Sequence, residues 1–177
     1  VIKENTPVTE ILIEGGKLAG VRTAAGDIAC EKLVLCCGQW TRELAQTIGV
    51  TVPLISVEHQ YMLTEAFGVP TDLPTLRDPD RLTYYKEEVG GLIMGGYEPN
   101  GIPWAKDGIP EFFDFQLLES NFDHFEQLIE MALPRVPKLE SVGVKQLING
   151  PESFTPDGNF ILGEAPEMAN VFIGAGF

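Results

Sequence analysis

The chain has 177 residues, of which 44% are hydrophobic, and its formal net charge is −14. This length and hydrophobic content predict one sizeable core and exclude a mainly disordered chain. The negative charge disfavours nucleic acid and anionic membrane surfaces as partners, because Coulomb repulsion opposes both. No apolar run is long enough to predict a membrane-spanning helix, and the first residues lack the pattern of a secretory signal. We expect a cytoplasmic location, or the mitochondrial matrix if the protein is eukaryotic.

The three cysteines, Cys30, Cys36 and Cys37, form no CxxC pair and have no histidine at metal-ligand spacing. Adjacent cysteines cannot easily bridge each other, so a disulfide between Cys36 and Cys37 is not expected. We therefore predict three reduced, mostly buried thiols and no metal site.

The first forty residues predict a β-meander that leads into a buried strand. Strand-like runs at 8–13 and 18–23 are separated by glycine turns, and residues 33–37 are unbroken in their apolarity, which is typical of a strand covered on both faces. Gly38 ends this strand before a short helix at about 41–48, which Gly49 could cap. Cofactors often bind at such a junction.

The middle of the chain predicts a sheet covered by a helix. Strand patterns occupy 54–64, 82–86 and 91–96, and two more follow at 142–148 and 160–162.

A helix is predicted between Phe115 and Leu133, with Pro134 after it. Its apolar positions recur at helical spacing and its start has two candidate capping residues. The apolar positions are Phe122, Phe125, Ile129 and Ala132, and the candidate caps are Ser120 and Asp123.

Four linked segments resemble those of FAD-dependent amine oxidoreductases of the D-amino-acid-oxidase type, in the dimethylglycine and sarcosine dehydrogenase branch. They agree with that branch in order and spacing, and the resemblance covers nearly the whole chain. The segments are VLCCGQWTREL at 34–44, VEHQYMLTE at 57–65, LTYYKE at 82–87 and VFIGAGF at 171–177.

The resemblance implies an α+β fold, with α/β portions of a cofactor domain and a mixed, largely antiparallel substrate-domain sheet covered by helices. Residues 1–50 and 150–177 would belong to the FAD-binding domain, and 51–149 to the substrate-binding domain. The family's GxGxxG turn lies upstream of this segment, so we expect a fragment of a longer protein. FAD is expected in the full-length protein, whereas the fragment alone is expected to lack most FAD contacts and to be inactive.

His59 is the first candidate catalytic residue. Oxidation of an amine by hydride loss requires an unprotonated nitrogen, and histidine titrates nearest neutrality among the candidate bases. The resembled branch carries an active-site histidine at this place in its HQY motif. From the sequence alone, a hydrogen-bonded structural histidine in an apolar strand is the alternative.

Tyr84 is the second candidate catalytic residue. Tyr84 and Tyr85 are adjacent in a predicted strand, so they point to opposite faces and only one can line a pocket. The family's tyrosine pair favours Tyr84 as the residue that orients the substrate. A register shift of one residue would transfer the role to Tyr85, and two ordinary strand aromatics remain the alternative.

The resemblance also implies a set of cofactor-binding residues. The terminal glycine turn would place backbone amides near the flavin, the TPD turn would pack beside the cofactor, and two earlier segments would meet the adenine end and the diphosphate or ribose. Without the resemblance, the TPD segment is simply a tight turn. The implied residues are Val8, Gly38, Trp40, Thr155, Pro156, Asp157, Gly174, Ala175 and Gly176.

The second histidine and four basic residues also bear on the site. His124 is expected to be a solvated helix residue. An amino-acid substrate calls for a cation that binds its carboxylate, but Arg77, Arg81, Lys86 and Lys145 cannot be ranked from the sequence.

The resemblance implies an FAD-dependent oxidoreductase that oxidises an N-methylated glycine, either dimethylglycine or sarcosine, by hydride transfer. The alternatives are a catalytically silent regulatory or partner-binding relative on the same fold, and an enzyme for another amine such as glycine. The expected partner is a small-molecule amine. The resemblance leaves open a downstream folate-binding domain, and apolar surface left by truncation could support oligomers.

Overall fold

The computed structural model describes residues 1–177 as a chain rich in strands with two α-helices. The helices are α1 (Thr41–Gln46) and α2 (Phe122–Ala132). The strands are β1 (Val8–Glu14), β2 (Lys17–Thr23), β3 (Gly26–Ala29), β4 (Leu33–Leu35), β5 (Ile55–Thr64), β6 (Leu76–Asp78), β7 (Thr83–Glu88), β8 (Gly91–Gly96), β9 (Pro103–Trp104), β10 (Val144–Phe154), β11 (Ile161–Glu164) and β12 (Val171–Ala175). Neither helix is long and apolar enough to cross a membrane.

The chain divides into two compact units. The first contains residues 1–56, 105–109 and 153–177, and the second contains 57–104 and 110–152. The assignment of 1–50 and 150–177 to a cofactor domain, with 51–149 as a substrate domain, stays a prediction about the longer protein.

The first unit contains two three-stranded sheets. β1, β2 and β3 form an antiparallel meander, and in the other sheet β12 lies between β11, which is antiparallel to it, and β4, which is parallel to it. Apolar residues of both sheets and of α1 form one core. Its buried members include Ile11, Leu35, Ala45, Val50, Val171 and Ile173.

The strand β4 differs from its prediction. It ends at Leu35, where its pairing with β12 ends, and it lies at the edge of its sheet. The side chain of Val34 is 59% exposed, so the expectation of a strand covered on both faces is wrong.

The cysteine prediction is wrong in its burial. All three thiols are free, but Cys36 is exposed, while Cys30 and Cys37 are half-buried. The reason is that Cys36 and Cys37 follow β4 instead of continuing it.

The helix α1 ends at Gln46, two residues earlier than predicted. Gly49 adopts a φ of 75°, and the N–H groups of Gly49 and Val50 donate to the carbonyls of Gln46 and Ala45, each at 3.1 Å. This double hydrogen bond is a Schellman motif, in which a left-handed residue satisfies the last carbonyls of a helix. The prediction of Gly49 as the cap is therefore confirmed.

Residues 105–109, which we call the strap, are held by two side chains of α1. Arg42 Nη2 donates to the Lys106 carbonyl at 3.3 Å, and Glu43 Oε1 accepts the Ile109 N–H at 2.7 Å. The strap thus belongs to the first unit although it comes from the middle of the sequence.

The second unit is built on one sheet with the strand order β10-β5-β8-β7-β6, and β9 pairs with β5. The pairs β5/β8, β8/β7 and β7/β6 are antiparallel. On β5 the even-numbered residues Gln60, Met62 and Thr64 are buried and the intervening odd-numbered residues are half-exposed. This alternation is typical of a sheet with one face on a core.

The helix α2 packs into the core of the second unit through Phe125, Leu128 and Ala132. The predicted apolar face is wrong at Phe122, which is 58% exposed, and it omits Leu128. The helix cap also differs, because Asn121 Oδ1 accepts the His124 N–H at 3.1 Å. Ser120 instead donates its hydroxyl to the Leu147 carbonyl at 2.7 Å.

Candidate active site

One face of the second unit's sheet carries both predicted catalytic residues. In the strand register Tyr61 lies opposite Gly95, Gly95 opposite Tyr84, and Tyr84 opposite Arg77. Residues directly opposite each other share a face, and His59 precedes Tyr61 by two positions on β5. We call this the site face. It is the side away from the buried core residues Gln60 and Met62.

The two adjacent tyrosines point to opposite sides of the sheet. Tyr85 is 3% exposed and its hydroxyl lies 3.0 Å from the hydroxyl of Thr83. Tyr84 is half-buried on the site face. The sheet register thus gives Tyr85 a place in the core and leaves Tyr84 as the tyrosine that a ligand could contact.

His59 lies between two carboxylates. Its Nδ1 is 2.9 Å from Glu98 Oε2, and its Nε2 is 3.5 Å from Glu152 Oε2. The Glu98 side chain is 3% exposed, whereas that of Glu152 is 49% exposed. The first contact is therefore a buried hydrogen bond, and the second is a longer charge interaction at the surface.

The electrostatics of the site face follow from these contacts. Burial is the largest single effect on the pKa of His59 and lowers it, but the hydrogen bond and charge of Glu98 and the charge of Glu152 together raise this pKa above its ordinary value. Burial likewise raises the pKa of Glu98, but hydrogen bonds from His59 and the backbone, with the charge of His59, bring it below its ordinary value. Burial, with the nearby tyrosines and carboxylates, raises the pKa of Tyr84 to about 12.

Tyr97 connects the members of this cluster. Its ring centroid lies 5.9 Å from that of His59 and 6.4 Å from that of Tyr84. The guanidinium of Arg77 lies 5.0 Å from the Tyr97 ring centroid, which is a cation–π contact.

Arg77 differs from two of the other cations named as possible carboxylate ligands, Arg81 and Lys86. Arg81 lies 3.7 Å from Asp78, and Lys86 lies 3.2 Å from Glu88, so both already face a carboxylate. Arg77 is exposed on β6 and makes no ion pair. Its charge is therefore available to an anionic group on the site face.

In the first unit, the terminal glycine turn lies against the TPD turn. A β-carbon at Gly176 would lie 2.8 Å from Thr155 Cγ2, so the two turns pack directly on each other. Within the TPD turn, Asp157 Oδ1 accepts the Asn159 N–H at 3.1 Å and lies 3.1 Å from Thr155 Oγ1. These hydrogen bonds, led by that of the Asn159 backbone, hold the pKa of Asp157 below its ordinary value.

The segment after β4 approaches the same turn. A β-carbon at Gly174 would lie 3.0 Å from Cys36 Sγ. Gly38, two residues later, has a φ of 54°, and the position that its β-carbon would occupy is open space. The parallel strands β4 and β12 therefore end close together, and open space lies beside the backbone at Gly38, whereas Gly174 is closely packed.

Val8 and Trp40 line a second feature of the first unit, an apolar cavity of about 570 Å³. Leu33, Val34 and Leu35 of β4 also line it. The structure thus brings the predicted cofactor-binding residues together in two groups. One consists of Val8 and Trp40, and the other of the glycine turn and the TPD turn, while Gly38 lies in the segment between β4 and α1 and belongs to neither group.

The sequence did not single out four residues that lie around His59 and Tyr84. Arg77 was one of four unranked cations, and the other three are Tyr97, Glu98 and Glu152. Tyr97 and Glu98 directly follow the strand β8 and precede Pro99, a context that indicates a turn. The alternation on β10, where Leu147 and Asn149 are buried, is the signal that could have placed Glu152 on the open face.

The expectation for His124 is wrong. Its side chain is half-buried, and its Nε2 is buried without a hydrogen-bond partner. The cause is its position on the first turn of α2, next to the buried Phe125.

Comparisons with known proteins agree on the family. A family model described as FAD dependent oxidoreductase (DAO) matches residues 1–177. The chain is 41% identical over 177 residues to 4-methylaminobutanoate oxidase (formaldehyde-forming) of Paenarthrobacter nicotinovorans, covering 99% of this chain and 21% of the relative. It is 40% identical over 179 residues to human mitochondrial sarcosine dehydrogenase, covering 98% and 19%.

A third relative is named as a regulatory subunit and not as an oxidoreductase. The mitochondrial regulatory subunit of mouse pyruvate dehydrogenase phosphatase is 37% identical over 179 residues, covering 99% of this chain and 20% of that protein. The chain therefore spans about a fifth of the length of these three relatives.

A solved structure gives the same fold. The L-proline dehydrogenase from P. horikoshii superimposes with a TM-score of 0.75 at 22% identity, covering 98% of this chain and 44% of that one. With the strand pairing described above, this likeness confirms the predicted α+β fold.

Proposed function

Because the chain belongs to the family of FAD-dependent oxidoreductases, we propose that the full-length protein oxidises an N-methylated amino acid, such as sarcosine or dimethylglycine. The names of two relatives, a 4-methylaminobutanoate oxidase and a sarcosine dehydrogenase, support this substrate class. The residues of this chain would form part of its substrate site and part of its FAD site.

The observation that carries the proposal is the shared face of His59 and Tyr84. Hydride loss from a carbon next to nitrogen requires the nitrogen lone pair, which is available only after the ammonium has lost its proton. His59 would take this proton. Tyr84 would stay protonated over the physiological range, since its pKa is about 12, and its hydroxyl would donate a hydrogen bond that orients the substrate.

Arg77 would bind the carboxylate of the substrate. It lies on the site face opposite Tyr84 and has no carboxylate partner of its own. Its contact with the ring of Tyr97 limits the directions in which the guanidinium can point. Sarcosine, dimethylglycine and 4-methylaminobutanoate all carry a carboxylate at one end and an amine at the other.

The first unit would contribute to FAD binding. Backbone amides near Gly174, Ala175 and Gly176 would lie beside the flat, electron-rich ring, since the two glycines have no β-carbon of their own to hold it away. The open backbone at Gly38 and the apolar cavity at Val8 and Trp40 fit other parts of the dinucleotide. Thr155, Pro156 and Asp157 would pack against the glycine turn and keep it in position beside the cofactor. Bound FAD would serve as the acceptor of the hydride.

The test is anaerobic mixing of the full-length protein with sarcosine, dimethylglycine or 4-methylaminobutanoate, followed by flavin absorbance. Bleaching by at least one N-methylated amino acid is expected, and the matched unmethylated amino acid should react more slowly. A holoprotein that none of the three compounds reduces would contradict the proposal. Stronger bleaching by glycine than by its methylated derivatives would assign the protein to another amine.

A second candidate function is that of a silent regulatory relative. The 37% identity to a phosphatase regulatory subunit favours it, because this value is close to the identities with the two enzymes. A full-length protein that retains no FAD, or retains it without being reduced by any amine, would support this candidate.

A further inference from the structure

The carboxylate of Glu98 contacts two successive residues of β5. Its Oε2 lies 2.9 Å from Nδ1 of His59, and its Oε1 accepts the backbone N–H of Gln60 at 3.1 Å. One buried carboxylate therefore fixes both the imidazole and the strand that carries it. The side chain of Glu98 is almost inaccessible, so water competes little for either oxygen.

The strand itself is immobilised on the opposite face. The side chain of Gln60 is fully buried, donates to the Asn121 carbonyl at 3.2 Å and accepts the Asn121 N–H at 2.9 Å. These bonds anchor β5 to the segment that starts α2. His59 is thus attached to a strand that cannot shift without breaking four hydrogen bonds around Gln60 and Glu98.

The charged and titratable groups around His59 differ in their exposure and in their distance from the imidazole. Glu98 is buried, Glu152 is half-exposed and 3.5 Å from Nε2, and the ring of Tyr97 lies against the imidazole. Tyr84 and Arg77 also lie next to Tyr97. Of these groups Glu98 makes the shorter contact with a ring nitrogen, so Glu98 has the stronger influence on which nitrogen keeps its proton.

We propose that Glu98 is a positioning residue that holds the His59 imidazole with a proton on Nδ1 and directs Nε2 to exchange protons on the site face. This inference rests on the proposed function for its catalytic meaning. It adds the residue that determines the tautomer, the orientation and the charge of the proposed base.

The proton step balances within these groups. The N–H bond of the substrate ammonium breaks, the proton passes to Nε2, and the nitrogen keeps the electron pair. The imidazole becomes an imidazolium whose charge faces the carboxylates of Glu98 and Glu152. Loss of Glu98 would remove the short contact at Nδ1 and with it the preference for one ring orientation and tautomer, and the imidazolium would lose its buried counter-charge.

The first test needs no activity. Ring ¹⁵N chemical shifts of the full-length holoprotein, with the His59 signals identified by their loss in His59→Gln, report the tautomer and the titration of this imidazole. We expect the neutral form to carry its proton on Nδ1. A neutral form protonated on Nε2 in the unmutated protein would overturn the proposal even if the variants below failed to fold.

The second test compares three variants by the same titration. Glu98→Gln should move the His59 titration to lower pH, and Glu98→Asp should retain most of the effect of the negative charge. Glu88→Gln removes a carboxylate on the same sheet without touching His59, so the titration should not move. An unchanged titration in folded Glu98→Gln would contradict the inference.

The third test is the pH dependence of flavin reduction. The limb of the profile that His59→Gln abolishes should move to lower pH in Glu98→Gln, and reduction near neutrality should slow by about 100-fold, the lower end of what a positioned proton acceptor contributes. If no substrate reduces the flavin, the proposed function fails, but the NMR titration still decides the role of Glu98.

Discussion

The ring of Tyr84 fills the space that a side chain at Gly95 would need. A β-carbon built at Gly95 would lie 2.5 Å from Cζ of Tyr84 and 3.0 Å from Cβ of Tyr61. Gly95→Ala should therefore displace Tyr84, slow flavin reduction by about tenfold and destabilise the protein by about 1–3 kcal/mol through overpacking. Stopped-flow reduction and urea denaturation of the full-length protein measure the two effects.

Gly163→Ala is the matched control for this change. Gly163 also lies in a strand, β11, but nothing lies within 4 Å of the position of its β-carbon. Reduction at the unmutated rate is expected in this variant. Equal damage from both substitutions would show that the contact with Tyr84 is not the cause.

Substitution of one of the two adjacent tyrosines should affect flavin reduction, and substitution of the other should affect stability. Tyr84→Phe removes a hydroxyl from the site face and should slow reduction while leaving the unfolding midpoint nearly unchanged. Tyr85→Phe breaks the buried contact with Thr83, which measures 3.0 Å, and should cost about 1 kcal/mol of stability with normal reduction. The reverse assignment of effects would mean that Tyr85 is the residue that meets the substrate.

The pair of His59 and Glu98 should stabilise the protein in a defined pH window. Because the pKa of His59 is raised above 6.5, its contribution is fully present below that pH and is lost as pH rises through the folded-state value. Because the pKa of Glu98 is lowered below 4.5, its contribution is present above that pH and is lost as pH falls through the folded-state value.

The stability difference between the unmutated protein and His59→Gln should therefore be largest between pH 4.5 and pH 6.5. Urea denaturation at a series of pH values measures it. A difference that keeps growing above neutrality would show that the imidazole is preferred in its neutral form.

Gly176→Ala should weaken FAD binding in the full-length protein. Gly176 has a φ of 72°, and its β-carbon would lie 2.8 Å from Thr155 Cγ2, so alanine would be strained and would push the two turns apart. We expect about tenfold weaker binding, measured by flavin release on dilution.

Gly49→Ala tests backbone strain alone. Its φ is 75°, but nothing lies within 4 Å of its β-carbon position. This variant should lose some stability and keep its FAD. Loss of FAD to the same extent would mean that the packing of the two turns has no special role.

The two phenylalanines of α2 should differ sharply. Phe125 is buried and Phe122 is exposed. Phe125→Ala should lower the free energy of unfolding by about 3–5 kcal/mol, whereas Phe122→Ala should change it by about 0.5 kcal/mol or less. Thermal and urea unfolding distinguish them, and comparable losses would show that Phe122 is covered in the full-length protein.

The parts of the fold that depend on local pattern could be predicted. The long strand β5 begins one residue after its predicted start and ends at its predicted end, Thr64. The two-residue period of a strand predicts that Tyr84 and Tyr85 point to opposite faces of the sheet. The burial of Tyr85 agrees with this prediction. Gly49 was identifiable because few other residues adopt a positive φ after a helix.

The parts that depend on distant partners could not be predicted. Ser120, Asn121 and Asp123 are all good capping residues, and Asn121 caps α2 while the Ser120 hydroxyl reaches Leu147 of another strand. In the sequence, Glu98 cannot be distinguished from other acidic residues in turns. It becomes buried only because the segment after β8 contacts His59 and Gln60 of β5. The exposure of Cys36 was missed because apolarity alone does not show where strand pairing stops.

The strap has a practical consequence for protein engineering. An exchange of residues 57–152 between two family members would transplant residues 105–109 as well, although they belong to the recipient's half of the molecule. Such a chimaera would fold well only if the donor pentapeptide adopted the same backbone conformation, so that its carbonyls still met Arg42 and its N–H still met Glu43. Grafts that keep the recipient's own five residues should therefore express better than simple block swaps.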